Sequence, residues 1–94
     1  MLEIRVGTTG DVALIGRIDA SQAERAEAAL SQIMTSTTID LARLDYVSSV
    51  GLSVLVKTQV RLQKSGHSLR LINAQQRVHA VFHFAGLAPL FNME

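Results

Sequence analysis

The sequence predicts a single α/β domain, and three observations support this fold class. Short segments with the two-residue periodicity of strands alternate with longer segments that repeat apolar residues at helical spacing. The chain has 94 residues, of which 48% are hydrophobic and 18% charged, and this composition suits one modest core. A hairpin opens the chain, whereas helices separate the later strands. We therefore predict one domain over residues 1–94, in the order ββαβαβα(β), with a mixed sheet of four to five strands and about three packed helices.

Composition and charge exclude several classes of protein. The formal net charge is +1, which gives no reason to expect a nucleic-acid or lipid-surface partner. Because the chain has no cysteine, disulfides and thiolate metal sites are excluded. No apolar run approaches the ~20 residues needed to span a bilayer, and the N-terminal residues lack the apolar core of a signal peptide. We therefore expect a cytoplasmic domain that does not insert into a membrane.

The first third of the chain is predicted to form two strands and a helix. Residues 2–6 alternate apolar and charged side chains, as in a half-buried edge strand. Residues 12–18 are nearly all apolar, which favours a strand covered on both faces. Ser21 and Glu24 have the spacing of a capping box. They predict a first helix over residues 22–34.

The second helix is predicted to run from Val50 to Lys64 and to follow a third strand that ends near Leu41. At 100° per residue, the predicted core face consists of Leu52, Leu55, Val56, Gln59 and Leu62. The opposite face collects Val50, Val54, Lys57, Arg61 and Lys64. We interpret its three cations as a solvated stripe and its two valines as an exposed apolar spot. Gln59, in the middle of the core face, predicts a buried hydrogen bond.

The last part of the chain is predicted to add a strand and a third helix. The strand covers residues 68–73, and the helix carries apolar residues with i, i+3, i+4, i+7 spacing from Val78 to Ala85. Gly86 is predicted to be a left-handed cap of this helix. Residues 90–91 either add a last short strand or pack on the core.

Neither a hydrolase nor a metal site is well supported by the motifs. Ser49 and Gly51 match the second half of a Gly-x-Ser-x-Gly nucleophile elbow, but Val47 occupies the first glycine position. Three histidines are candidate bases: His67, His79 and His83. Hydrolases of this kind need a much longer chain. His79 and His83 have the i, i+4 spacing of metal ligands, but no third ligand is suggested by spacing.

The serine pair before the second helix is the remaining candidate site. On local sequence, the structural interpretation is that Ser49 caps the helix and Ser48 binds a loop amide. The functional interpretation starts from the same place, because helix N-termini favour negative charge and can hold phosphate. Val50 and Val54 would then leave an apolar spot beside the hydroxyls, as a partner-binding surface requires.

A longer pattern surrounds these serines. It consists of Asp40-Leu41, Leu44, Tyr46-Val47 and then Ser48-Ser49-Val50-Gly51-Leu52. Upstream stands Gly16-Arg17-Ile18-Asp19, and downstream an apolar pattern runs from Val81 to Phe91. Together these segments resemble STAS-domain anti-sigma factor antagonists, also called anti-anti-sigma factors. In that family, Asp-Leu and Leu-x-Tyr/Phe precede Asp-Ser-Ser/Thr-Gly-Leu, and Gly-x-Leu/Ile-Asp precedes the first helix.

The resemblance implies site residues in this chain. The phosphorylatable serine of the family falls on Ser49. Ser48 stands where the family has an aspartate, and it is the second choice as acceptor. Asp19 matches the acidic residue of the loop before the first helix. The partner-binding residues that the resemblance implies are Asp19, Ser21, Ser48, Ser49, Val50, Gly51, Val54 and Lys57.

The resemblance also implies a role in bacterial transcription regulation by partner switching. The unphosphorylated domain would bind an anti-sigma factor that is a serine kinase of the histidine-kinase-like ATPase type. That partner would phosphorylate Ser49, and a PP2C-type phosphatase would reset the cycle. ATP and magnesium belong to the kinase, so this chain is expected to need no cofactor and to be no enzyme. The alternative is a STAS accessory subunit that binds the ATPase of a membrane lipid transporter.

Overall fold

A computed structural model describes residues 1–93, in which five strands form one mixed sheet. Strands β1 (Leu2–Val6) and β2 (Val12–Ile18) form an antiparallel hairpin. Strands β3 (Thr37–Asp40) and β4 (Leu44–Val47) run one after the other, both parallel to β2 on its other side. Strand β5 (Leu69–Ile72) runs parallel to β3. The predicted fold class is confirmed.

Three α-helices pack on this sheet within the described residues. They are α1 (Ala23–Leu30), α2 (Ser49–Gln63) and α3 (Gln76–Phe84). A 3-10 turn, Ala20–Gln22, precedes α1, and a second one, Ala88–Phe91, follows α3. Helix α1 ends at Leu30, four residues earlier than predicted.

The sequence pattern allowed an optional last strand at residues 90–91, but the fifth strand of the sheet lies elsewhere. Residues 90–91 lie in a 3-10 turn, and Phe91 is buried edge-to-face against Phe82, with ring centroids 5.5 Å apart. The extra strand is β4, which is absent from the predicted order because its apolar and polar residues do not alternate: Leu44 and Val47 are buried, and the two residues between them are exposed. It begins after a tight turn in which the Asp40 carboxylate accepts a hydrogen bond from the Ala42 N–H at 2.9 Å.

Gln59 connects α2 to the edge of the sheet. Its side chain is fully buried, and its amide nitrogen donates to the carbonyls of Leu69 (3.3 Å) and Leu90 (2.8 Å). Its amide oxygen accepts from the Leu69 N–H at 2.6 Å. Since β5 is an edge strand, Gln59 takes the place of a neighbouring strand for Leu69. The predicted buried hydrogen bond is confirmed.

Gln59→Leu should lower the free energy of unfolding by about 2–4 kcal/mol, because it leaves buried backbone groups at Leu69 and Leu90 without partners. Urea unfolding followed by circular dichroism measures the effect. The matched control is Gln63→Leu at an exposed position of the same helix, for which we expect a change within about 0.5 kcal/mol. Equal effects of the two substitutions would contradict the role assigned to Gln59.

Candidate functional site

The candidate site lies where two neighbouring parallel strands end. Ile18 at the end of β2 pairs with Val47 at the end of β4. Asp19 and Ser48 are the next residues in the two strands, so both leave the sheet at the same edge. The Ser48 N–H donates to the Ile18 carbonyl at 2.8 Å, which fixes one loop against the other. The carboxyl ends of parallel strands are a usual place for binding sites in α/β folds.

The N-cap of α2 is Ser48, and the prediction that Ser49 is the cap is wrong. The Ser48 backbone is extended (φ −81°, ψ 170°), as an N-cap requires, whereas Ser49 is already the first residue of the helix. The Ser48 hydroxyl accepts a hydrogen bond from the Gly51 N–H at 3.1 Å, and the Ser48 carbonyl accepts from the Leu52 N–H at 2.8 Å. The two serines therefore have different surroundings.

Ser49 presents a free hydroxyl at the surface. It is exposed, and its hydroxyl has no hydrogen-bond partner within residues 1–93. Val50 beside it is 47% exposed. Ser53 and Lys57 are exposed at four-residue spacing from Ser49, so they continue the same face of α2. We call Ser49, Val50, Ser53 and Lys57 the α2 outer face.

The expectation that Val54 forms part of this surface is wrong. Val54 is only 4% exposed and belongs to the core. The reason is that α2 packs against α1 as well as against β4 and β5, and so it buries a wider arc than a helix with one covered side. A charge at position 54 would therefore be buried without a partner and would damage the fold.

The predicted basic stripe on α2 is also only partly right. Arg61 is half-buried, and its guanidinium donates to the carbonyls of Ile33 (2.8 Å) and Leu30 (3.0 Å). It thus adds hydrogen bonds to carbonyl groups at and beyond the end of α1, where the Leu30 carbonyl also accepts from the Ile33 N–H at 3.1 Å. Lys57 and Lys64 are exposed, as predicted.

Gly51 sets how closely the first turn of α2 approaches the strands. A Cβ at this position would lie 2.7 Å from the Ile18 Cγ2 atom, 3.0 Å from the Val47 Cγ2 atom and 3.1 Å from the Ile18 carbonyl oxygen. These separations are too short for any larger residue, because two of the three neighbouring atoms belong to buried branched side chains. Glycine at position 51 therefore positions the serine pair against the ends of β2 and β4. Its burial also means that it can contribute to binding only indirectly.

Asp19 and Ser21 form a small hydrogen-bonded cluster on the neighbouring loop. The Asp19 carboxylate accepts from the Ser21 N–H at 3.1 Å and from the Ser21 hydroxyl at 2.6 Å. The hydrogen bond from the Ser21 hydroxyl lowers the pKa of Asp19 below its ordinary value, more than desolvation raises it. Asp19 thus caps the 3-10 turn before α1, and the predicted capping box between Ser21 and Glu24 is not formed.

Sequence reasoning missed a cation–π pair next to the site. Arg17 and Tyr46 are paired in register on β2 and β4, and the guanidinium carbon lies 4.5 Å from the centroid of the tyrosine ring. Both side chains are exposed. Their pairing depends on β4, so it could not be predicted without that strand.

The histidines do not assemble a catalytic or metal site with the serines. The His67 ring lies 3.5 Å from the Ser36 hydroxyl, and no base is hydrogen-bonded to Ser49 in the described part of the chain. No group of three or more His, Cys, Asp or Glu side chains within residues 1–93 could hold a metal ion. Over the same residues, no helix has the length and apolar character needed to cross a membrane.

Comparison with known families decides what kind of domain this is. The family described as "Mlab, STAS domain" matches residues 4–92. The chain belongs to the STAS domain family. BtrV of Bordetella bronchiseptica, which is named an anti-sigma factor antagonist, is 32% identical over 82 residues. That match covers 83% of this STAS domain and 71% of BtrV.

Solved structures agree with this assignment at the level of the fold. The unphosphorylated anti-sigma factor antagonist SpoIIAA superposes with a TM-score of 0.78 at 23% identity, covering 96% of this chain and 84% of SpoIIAA. An anti-sigma factor antagonist from Mycobacterium paratuberculosis gives 0.81 at 23% identity, covering 99% and 83%. A sulfate transporter family protein from Wolinella succinogenes gives 0.64 at 17% identity, covering 93% and 75%. The STAS domain is therefore similar to anti-sigma factor antagonists in both sequence and fold.

Gly51→Ala should lower the free energy of unfolding by about 1–3 kcal/mol, because overpacking outweighs the about 1 kcal/mol that alanine gains in a helix. Thermal and urea unfolding measure the change. Ser53→Ala, at an exposed position of the same helix, is the control and should be nearly neutral. A Gly51→Ala variant as stable as the wild type would contradict the close approach of α2 to the strands.

The pKa of Asp19, measured by NMR titration of its carboxyl carbon, should lie below the ordinary aspartate value and should rise in Ser21→Ala. Because the folded-state pKa is depressed, the stabilisation is present above the unfolded-state pKa and is lost as the pH falls through the folded-state value. Ser31→Ala removes an exposed serine elsewhere and should leave the Asp19 titration unchanged.

Proposed function

We propose that this STAS domain is a partner-switching regulator: its unphosphorylated form binds an anti-sigma factor, and phosphorylation of Ser49 ends binding. The supporting observation is the division of roles between the two serines. Ser48 caps α2, whereas the Ser49 hydroxyl is exposed and unengaged within the described residues. A kinase can therefore modify Ser49 without removing a hydrogen bond on which the helix depends.

A phosphate on Ser49 is compatible with the folded domain. The N–H groups of Ser49 and Val50 are in the first turn of α2 and have no intrahelical partner. Together with the helix dipole they favour the roughly −1.5 to −2 charges that a phosphate adds at neutral pH. We therefore expect phosphorylation to leave the fold intact, so that the switch acts on binding alone.

The same phosphate opposes binding of a partner to the α2 outer face. Val50 gives this face an apolar centre, and the exposed polar side chains of Ser53 and Lys57 lie next to it. A partner that covers Val50 would also desolvate the neighbouring phosphate, and burying an unpaired charge is costly. Each 1.4 kcal/mol of that cost lowers the affinity about tenfold. No change of fold is needed to release the partner.

Ser48 keeps the structural role of the aspartate that the family has at this position. Its hydroxyl accepts from the Gly51 N–H, which an aspartate can also do at an N-cap. Since this hydroxyl is already engaged, Ser48 is the second choice as phosphate acceptor. Asp19 is the carboxylate on the neighbouring loop, and it is occupied by its two hydrogen bonds from Ser21.

In this cycle the STAS domain is a substrate and a ligand, not a catalyst. ATP and magnesium come with the anti-sigma factor, a serine kinase of the histidine-kinase-like ATPase type, and a PP2C-type phosphatase removes the phosphate. The names of its relatives support this reading: BtrV is named an anti-sigma factor antagonist, and SpoIIAA has been solved in both unphosphorylated and phosphorylated forms.

Tagged wild type and Ser49→Ala should capture the same kinase from the native host, whereas Ser49→Asp should lose it by at least about tenfold. Mass spectrometry of the wild type should find phosphate on Ser49, and Ser49→Ala should take up none from the captured kinase. Ser65→Asp, at an exposed position just beyond the far end of α2, is the matched control and should bind as the wild type does. All variants should have nearly the same melting temperature. Phosphate on Ser48, or binding by Ser49→Asp, would contradict the assignment.

A second candidate function keeps the fold and changes the partner. The matching family carries the description "Mlab", and a sulfate transporter family protein is among the structural neighbours. An accessory subunit of a membrane lipid transporter would bind the transporter's ATPase. The same capture experiment would then recover that ATPase, and Ser49 would carry no phosphate.

A further inference from the structure

We propose that this STAS domain forms a symmetric dimer through the free edge of β1, with the β1 strands of two copies paired antiparallel and centred on Ile4. The proposal goes beyond the partner-switching function, because it concerns the opposite side of β2 from β4. It is carried by two features of β1: the direction of its backbone groups and the order of its charges.

Within residues 1–93, the backbone of β1 has one row of hydrogen-bonding groups without a strand partner. Met1 accepts from the Arg17 N–H at 2.8 Å, and the Gly7 N–H donates to Asp11 at 2.7 Å, so the odd-numbered residues face β2. Because the pattern alternates, the N–H and C=O groups of residues 2, 4 and 6 point away from β2. Such an edge is a template for pairing with another strand.

This edge is covered at Leu2, which is 3% exposed, and is more open towards Val6. Met1 and Val6, near the two ends of β1, are 72% and 71% exposed. Among the described residues, the one side-chain hydrogen bond to its outward row comes from the Arg25 guanidinium, which donates to the Leu2 carbonyl. In the dimer, that carbonyl would accept instead from the Val6 N–H of the second copy.

The charges on β1 select one register. Glu3 and Arg5 lie between the residues whose backbone groups point outward, and their side chains form an ion pair within the strand. The outward N–H and C=O groups of two β1 strands can pair antiparallel in three registers that keep most of each strand in contact. Two of these place Glu3 opposite Glu3 or Arg5 opposite Arg5, and like charges directly opposite are destabilising. The third pairs Ile4 with Ile4 and places Glu3 opposite Arg5 twice.

In that third register the geometry favours both pairs of charges. Residues 3 and 5 occupy the non-hydrogen-bonded positions, where facing Cα atoms are only about 4.5 Å apart. Residues 2 and 6 exchange hydrogen bonds, so the exposed Val6 comes next to Leu2 of the second copy. The contact is isologous: each copy offers the same strand and the same charges to the other.

The expected dimer is weak, because one strand of five residues buries less area than a standard stable interface. It also leaves the α2 outer face open, since β4 pairs with the opposite side of β2. Loss of the dimer and loss of partner binding can therefore be measured separately.

Sedimentation velocity over a concentration series at low salt tests the dimer. Wild type should pass from monomer to dimer as its concentration rises. Glu3→Arg and Arg5→Glu should each raise the dissociation constant at least about tenfold, because each turns two attractive pairs into two repulsive ones. The double exchange Glu3→Arg with Arg5→Glu restores opposite charges and should restore the dimer.

Two further variants separate backbone pairing from charge. Val6→Pro removes an outward N–H at an edge position that tolerates proline, so it should abolish the dimer and keep the melting temperature of the monomer. Arg70→Glu makes a matched charge change on β5, the other edge of the sheet, and should dimerise like the wild type. In wild type, amide hydrogen exchange at Ile4 and Val6 should slow as the concentration rises.

Three results would overturn the dimer. The first is a wild type that stays monomeric up to millimolar concentration. The second is dimerisation of the single charge variants with wild-type affinity. The third is a double exchange no better than the single variants.

Discussion

The close approach of α2 to the ends of β2 and β4 is the constraint on which the candidate site depends. At Gly51 there is no room for even a methyl group between the helix and the side chains of Ile18 and Val47. Just before the helix, the Ser48 N–H donates a hydrogen bond to the Ile18 carbonyl, so the backbone is fixed on both sides of the helix start. The exposed Ser49 is therefore held at a defined place by groups that are themselves buried or bonded.

In the proposed switch, the two adjacent serines would separate stability from signalling. Ser48 has an extended backbone and contributes its hydroxyl to the helix, whereas Ser49 contributes only its backbone to the helix. Capping and phosphorylation would compete if one hydroxyl had to do both. Here a modification of Ser49 leaves the cap in place, and the N–H groups left free by the cap are those that a phosphate can use.

Much of the fold could be predicted from the sequence, because most of its elements are long or strongly periodic. The hairpin, α2, the buried role of Gln59 and the left-handed Gly86 all follow from local patterns. The misses depend on tertiary contacts. Val54 is buried, and Arg61 is bonded to carbonyls at and beyond the end of α1. The helical period of α2 does not reveal that this helix packs against α1 as well as against the sheet. Likewise, Ser21 does not cap α1, because it lies inside a 3-10 turn that precedes the helix. Asp19 caps that turn.

The replacement of the family's aspartate by Ser48 changes the electrostatics of the proposed switch more than its structure. Both residues can accept the Gly51 N–H, so the helix keeps its cap. An ionised aspartate, however, would place a negative charge on the residue directly before the phosphorylated serine. With Ser48 that repulsion is absent, and the Asp19 carboxylate lies on the neighbouring loop, where it accepts hydrogen bonds from Ser21. In the proposed switch, the dipole and free N–H groups of α2 would therefore act on a phosphate at Ser49 without a negative charge on the preceding residue.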